Sequence, residues 1–175
     1  MHKKIPNIFT FISNFKKEEI EKLDKNIGII LRNYKEKPDI NKIRDLRKLC
    51  RLSNKKLYLA NNLKLAINLS LDGVYIPSFN KNLKHLAYSY KKKFKIVGSA
   101  HNLKEIRIKE KQNVGVIFLS SLFKKNKNFL GINRFKIISK LTKKEIIVLG
   151  GVAKENKKKL SLLDQSGFAG ISYFE

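Results

Sequence analysis

The sequence has little that would tie it together covalently or hold it in a membrane. Cys50 is the single cysteine among 175 residues. It can form no internal disulfide and has no metal-ligand partner at short spacing, which excludes disulfide scaffolds and zinc ribbons. No apolar run approaches the roughly 18 residues of a membrane-spanning helix. The longest early stretch, Ile8 to Ile12, is broken by Thr10 and soon followed by Lys16 and Lys17. Neither a secretory signal nor a membrane anchor is read, and a cytoplasmic protein is expected. Internal repeats and low-complexity linkers are also missing, so residues 1–175 are expected to form a single domain. Carboxylates are scarce: 14 Asp and Glu stand against 39 Lys and Arg, for a formal charge of +25.

Apolar residues make up 42% of the chain, enough for a core, which argues against a disordered basic tail. The positive charge invites a nucleic-acid reading, but its composition points elsewhere. Lysines outnumber arginines 33 to 6, and Lys, Asn and Ile together supply 71 residues, all three encoded by AT-rich codons. Bidentate recognition of bases or phosphates favours Arg. The lysine surplus therefore reads as a solvated surface, and no nucleic-acid partner is expected. The lysine patches at 91–93 and 157–159 fall at helix ends or faces.

Short apolar runs alternate with segments of helical spacing along the whole chain, the pattern of βα units. Eight strands are expected: Ile5 to Ser13, Ile27 to Tyr34, Lys56 to Ala60, Gly73 to Ser78, Lys95 to Ser99, Val114 to Ser120, Glu145 to Gly150 and Phe168 to Phe174. Amphipathic helices are read between them, for example through Ile40, Ile43, Leu46 and Leu49, or through Leu83, Leu86, Ala87 and Tyr90. Asp39 is placed to cap the helix after Pro38, and Asn102 with Glu105 resembles a capping box. Seven helical segments between eight strands is the count of a (β/α)8 TIM barrel with short loops and its last helix absent. An open doubly wound sheet is the alternative. In a barrel, chemistry belongs at the carboxyl ends of the strands. Arg32, Asn61, Ser78, Ser99, His101, the Lys124, Lys125 and Lys127 cluster, and Gly150-Gly151 all fall there. The glycine pair precedes a helical segment whose amino end is suited to phosphate.

In order and spacing these segments resemble the thiamine phosphate synthase family and its close relative, the TenI-type thiazole tautomerases. The stretch from Leu63-Lys64-Leu65-Ala66 to Asp72-Gly73-Val74-Tyr75-Ile76 resembles that family's strand three, helix three and DGVHL strand. The run from Ile96-Val97-Gly98-Ser99-Ala100-His101 to Glu105 is similar to its GvSaHtleE segment. Val148-Leu149-Gly150-Gly151-Val152 with Asn156, then Gly167-Phe168-Ala169-Gly170, resemble aIGGItpeN and GadG. The resemblance implies a TIM barrel that couples hydroxymethylpyrimidine diphosphate to thiazole phosphate with release of pyrophosphate, using Mg2+. It implies substrate binding by Arg32, Lys35, Ser99, Lys125, Lys127, Gly150 and Gly151, with Arg32 on the diphosphate.

The chain departs from that pattern where the metal belongs. Asn61 and Asn80 occupy the positions of the family's carboxylates, and an amide oxygen is a poor ligand for a hard cation. Ile30 and Tyr34 replace the Gln and Lys of the strand-two motif, although Lys35 follows directly, and no threonine stands in the loop that holds Lys124 to Asn128. Weakened coupling is therefore expected. A metal-free tautomerase is the alternative, with His101 as the catalytic proton carrier that the resemblance implies. A non-catalytic binder of phosphorylated thiamine precursors is a further one. The expected partners are phosphorylated pyrimidines and thiazoles, and the flank left bare by the missing helix is expected to be closed either by a second copy of the chain or by a slightly rearranged first helix. Strand eight is expected to run on to Phe174 and Glu175, whose carboxylates would repel phosphate.

Overall fold

In the computed structural model, which describes residues 5–174, eight parallel strands close into a barrel in strict chain order. They are β1 (Ile8–Ile12), β2 (Gly28–Leu31), β3 (Lys56–Ala60), β4 (Gly73–Ile76), β5 (Lys95–Ala100), β6 (Val116–Leu119), β7 (Glu145–Leu149) and β8 (Gly167–Ala169). Closure comes from β8 against β1, where Ile8 pairs with Phe168 and Phe9 with Ala169. Five α-helices lie in the crossovers: α1 (Lys17–Lys22), α2 (Ile40–Leu52), α3 (Leu63–Asn68), α4 (Leu103–Lys111) and α5 (Gly131–Ser139). The remaining two crossovers hold 3-10 helices, Lys84–Ala87 and Lys154–Leu162. The open doubly wound sheet is thereby excluded.

The period of two along each strand sorts its side chains into two cores. Phe9, Phe11, Ile30, Tyr58, Tyr75, Val97, Val116, Phe118 and Ile147 fill the barrel interior. Their strand neighbours, such as Ile29, Leu57, Val74, Ile117 and Val148, face the helices. The interior is strongly aromatic, with Phe118 edge-on to Phe9 at 4.9 Å and to Tyr75 at 5.7 Å between ring centroids. Room for these rings comes from small neighbours: a Cβ on Gly73 would lie 2.7 Å from the Tyr58 ring.

Capping follows the sequence closely. The Asp39 carboxylate accepts from Asn41 N and Lys42 N at 3.0 and 3.1 Å and starts α2. Asn102 accepts from Glu105 N at 2.9 Å and starts α4. Glu105 reaches back one residue further than a capping box requires, to the amide of His101.

Three expectations are corrected. Strand eight stops at Ala169, because Gly170 N closes the ladder onto Phe9 O and the chain then turns back, setting Tyr173 edge to face with Phe168 at 4.7 Å between ring centroids. Phe174 therefore sits in a turn rather than a strand, and Glu175 lies outside the described residues. No helix follows β8 among the described residues. The helix expected over Leu83 to Tyr90 is a single 3-10 turn, because Asn80 and Asn82 side chains accept from the amides two residues on and set up turns instead of a helix start. His85 is the residue that this turn buries, while Leu83 and Leu86 stay exposed. The segment after Gly150-Gly151 is a 3-10 helix that begins only at Lys154, so no α-helical amino end adjoins the glycines.

Candidate functional site at the barrel mouth

All strands run the same way, so the residues that follow them gather at one end of the barrel. Arg32 directly follows β2; its amide donates to Ile12 O at 2.8 Å, and its guanidinium lies over the Phe11 ring at 4.7 Å. Beneath it stands Tyr75, 3% exposed and edge-on to Phe11 at 5.4 Å. Burial raises the Tyr75 hydroxyl above its ordinary pKa, while hydrogen bonding from Ser99 and the positive charge of Arg32 oppose the rise. Arg32 and Ser99 thus both act on the Tyr75 hydroxyl. Above them the exposed rings of Tyr34 and Phe79 pair edge to face at 5.5 Å. Tyr34, half exposed, is raised as well, chiefly by partial desolvation, with Tyr75 adding and Arg32 opposing.

Asn61 and Asn80 come together on the same rim. The Asn80 amide Nδ2 donates to Asn61 Oδ1 at 2.7 Å. The pair is neutral, and the Asn61 oxygen already has a partner. Among the described residues no group of three or more His, Cys, Asp or Glu is placed to hold a metal ion. These donors do not fit Mg2+, which favours carboxylates and water in octahedral array.

The loop after β6 lies over the glycines that follow β7. Phe123 N and Lys124 N both donate to Gly150 O, at 2.8 and 3.1 Å. Gly150 and Gly151 have φ of +99° and +80°, and a Cβ on Gly151 would fall 2.6 Å from Lys124 N. Both glycines are thus required by left-handed backbone and by close approach of the loop. Asn156 ties the far side of the turn, donating to Gly151 O at 2.7 Å and accepting from Ala153 N at 3.0 Å. Lys125 and Lys127 are exposed on the loop, on the same side of the mouth as the glycines. Lys35 is exposed on the β2 side, in a turn closed by its amide onto Asn33 Oδ1.

His101 follows β5 and is held against the start of α4. Its Nδ1 lies 2.9 Å from Glu105 Oε2, and the same oxygen accepts from the His101 amide at 2.8 Å. The carboxylate fixes the ring and supports a proton on Nδ1; Nε2 has no protein partner among the described residues.

Sequence reasoning missed the back of this rim. Lys109 on α4 is fully buried, and its ammonium donates to Pro77 O, Asn80 O and Gln112 Oε1 at 2.8, 2.9 and 2.8 Å. Gln112, equally buried, donates to Asn80 O and Asn82 O at 3.0 and 2.8 Å. His85 Nε2 meets Gln112 O at 2.7 Å. Desolvation lowers Lys109 to a pKa of about 8, with Glu105 pulling the other way. The only trace of this in the sequence is a lysine where the inward spacing of α4 from Ile106 calls for a small or apolar residue.

No curated protein sequence matches this chain. Among solved structures, a thiamine phosphate pyrophosphorylase from Pyrococcus furiosus superposes with a TM-score of 0.76 at 17% identity, over 96% of this chain and 86% of that one. FabK from Thermotoga maritima gives 0.73 at 11% identity, over 97% and 59%. A truncated 3-deoxy-D-arabino-heptulosonate 7-phosphate synthase from Thermotoga maritima gives 0.65 at 14%, over 94% and 73%. At these identities the likenesses speak for the barrel alone. The sequence profile described as thiamine monophosphate synthase (TMP-TENI) matches residues 21–174, a stretch that reaches from within α1 past β8 and takes in Arg32, Asn61, Asn80, Ser99, His101 and the glycine pair. The chain belongs to the thiamine monophosphate synthase (TMP-TENI) family.

Proposed function

We propose that the mouth binds phosphorylated thiamine precursors and supports the coupling of a pyrimidine diphosphate to a thiazole phosphate only slowly. The observation that carries this reading is the 2.7 Å bond between Asn80 and Asn61 at the positions where the family keeps carboxylates. With two neutral amides there, charge building on a departing pyrophosphate meets Arg32 and the mobile ammonium groups of Lys35, Lys125 and Lys127. Arg32, seated on Phe11, is the best placed of these for a diphosphate. The Tyr34–Phe79 pair offers ring faces to a heterocycle. Ser99, Gly150 and Gly151 complete the binding set that the family implies.

A second reading rests on a separate observation, the carboxylate-oriented imidazole of His101. A histidine held at Nδ1 by Glu105 can move a proton through Nε2 without a metal, the chemistry of a tautomerase. Steady-state assays with and without Mg2+ separate the two. Slow coupling that Mg2+ does not stimulate is expected of the unaltered protein. The double change Asn61→Asp and Asn80→Asp should then bring at least about tenfold stimulation by Mg2+, the equivalent of one lost carboxylate contact. Efficient Mg2+-dependent coupling by the unaltered chain would overturn the proposal. Tautomerase turnover that ignores EDTA and vanishes in His101→Ala would establish the second reading in its place.

A further inference from the structure

A basic cavity lies at the other end of the barrel. A cleft of about 640 Å³ opens beneath the amino ends of β3, β4 and β5, between the carboxyl ends of α2 and α3 and the loop that leads into β5. Its origin is the shortened crossover between β4 and β5. Where a crossover helix would cover this flank, the chain makes one 3-10 turn and then runs on as an extended lysine-rich segment.

Six cations line the cleft: Arg47, Arg51, Lys56, Lys91, Lys93 and Lys95. One carboxylate lines it, Asp72, and that one is already engaged by Lys56 at 3.1 Å and by Leu57 N at 3.1 Å. None of the other five cations pairs with a carboxylate among the described residues. Arg51 finds only the carbonyl of Ser70, at 3.4 Å. Arg47 Nε is buried without any hydrogen-bond partner. Arg47 and Arg51 stand four residues apart on α2, a like-charge spacing that costs stability when nothing neutralises it. Desolvation first, and then the Arg51 charge, depress the Arg47 pKa, with Asp72 pulling the other way. Beside the cations, Tyr90 presents a partly exposed ring, backed by Phe94 at 5.4 Å between centroids.

We propose that this cleft is a binding site for a nucleoside polyphosphate, its phosphates among Arg47, Arg51, Lys93 and Lys95 and its base against Tyr90. Unpaired guanidinium groups set in a concavity match the geometry of phosphate oxygens. A cavity of this volume is the size of a small-molecule site. A convex lysine surface would attract any polyanion, but a walled cleft with one accessible ring selects a short polyphosphate carrying one planar group. The site is separate from the barrel mouth and does not depend on the reading of the mouth.

The test is equilibrium binding of ATP to the full chain at about 150 mM salt, where surface attraction is largely screened. Inorganic tripolyphosphate and a single-stranded RNA oligomer serve as the comparison ligands. Saturable one-to-one binding of ATP is expected, tighter than tripolyphosphate and tighter than RNA. Arg51→Gln with Lys93→Gln should weaken it by at least about tenfold, as loss of charge-assisted bonds does, and Tyr90→Ala should remove its advantage over tripolyphosphate. Both altered cations are exposed, so the variant should fold, and circular dichroism checks that it does. Lys136→Gln with Lys140→Gln, on the far flank at α5, should leave ATP binding unchanged. Absence of saturable binding, equal loss in the two double variants, or preference for the RNA would each overturn the proposal.

Discussion

The loops on either side of β5 reach the same rim by opposite means. The loop after β4, which carries Asn80, is bolted from behind. Three of its carbonyls, those of Pro77, Asn80 and Asn82, accept from the buried ends of Lys109 and Gln112. The loop after β6, which carries Lys125 and Lys127, is seated from below. It rests on backbone bonds to Gly150 O, and on the Ser121 hydroxyl, which donates to Lys124 O at 2.8 Å. The first arrangement holds a neutral amide in one place. The second leaves charged side chains free in solvent above a fixed floor. Position at this mouth is thus supplied by one loop and charge by the other.

That contrast can be broken most severely at Lys109. Lys109→Ala removes three buried hydrogen bonds, leaves Gln112 Oε1 without a partner and opens a void, and should destabilise the protein by about 3–4 kcal/mol in urea unfolding. A loss under about 1 kcal/mol would show that the β4 loop is not held this way. Gly151→Ala attacks the other loop. With φ at +80° and Lys124 N in the way, it should cost about 2 kcal/mol and make the segment around Lys125 and Lys127 easier to cleave by a lysine-directed protease.

The pH dependence sharpens the comparison further. Because burial lowers Lys109 to about 8, the native state gives up this proton before the unfolded chain does. Above pH 8, and up to the ordinary lysine pKa, the unfolded state binds more protons, so this group adds stability as pH rises and withdraws it as pH falls through 8. Relative to Lys109→Met, the unaltered protein should gain on the order of 1 kcal/mol between pH 7 and 9.5. The other lysines cancel in that difference. A gap that stays constant would contradict the lowered pKa. The smallest effect is expected at the exposed tip: Lys127→Ala should change stability by less than about 0.5 kcal/mol. The same change should reduce the thermal shift given by thiazole phosphate, with Lys140→Ala as the comparison.

The strand positions were legible because a barrel strand is read by a two-residue period that needs no knowledge of its partners: Phe9 and Phe11 on β1, or Val116 and Phe118 on β6, point inward for that reason. The caps at Asp39 and Asn102 were legible too, since each depends on atoms two or three residues away. The turn at 84–87 was not. Its apolar spacing through Leu83, Leu86 and Tyr90 is that of a helix, yet His85 is drawn inward by a carbonyl 27 residues distant and the apolar side chains are left outside. Lys109 escaped for a related reason, because its lysine counts as surface in any composition.

What the sequence determined by itself is the run of eight short apolar strands, the order in which they are joined, and the identity of the groups that follow each one. Period and local capping depend on near neighbours, so they survive without a fold. Only the tertiary structure decided that Asn61 and Asn80 would satisfy each other, that Gly151 would lie under Lys124, and that one missing crossover helix would open a basic cleft at the end opposite the mouth. Those outcomes depend on the parallel pairing of neighbouring strands and on how their crossovers pack, which bring to one place residues that are 19, 27 and 44 positions apart, as in Asn61 with Asn80, Lys124 with Gly151, and Arg47 with Lys91 on one cleft.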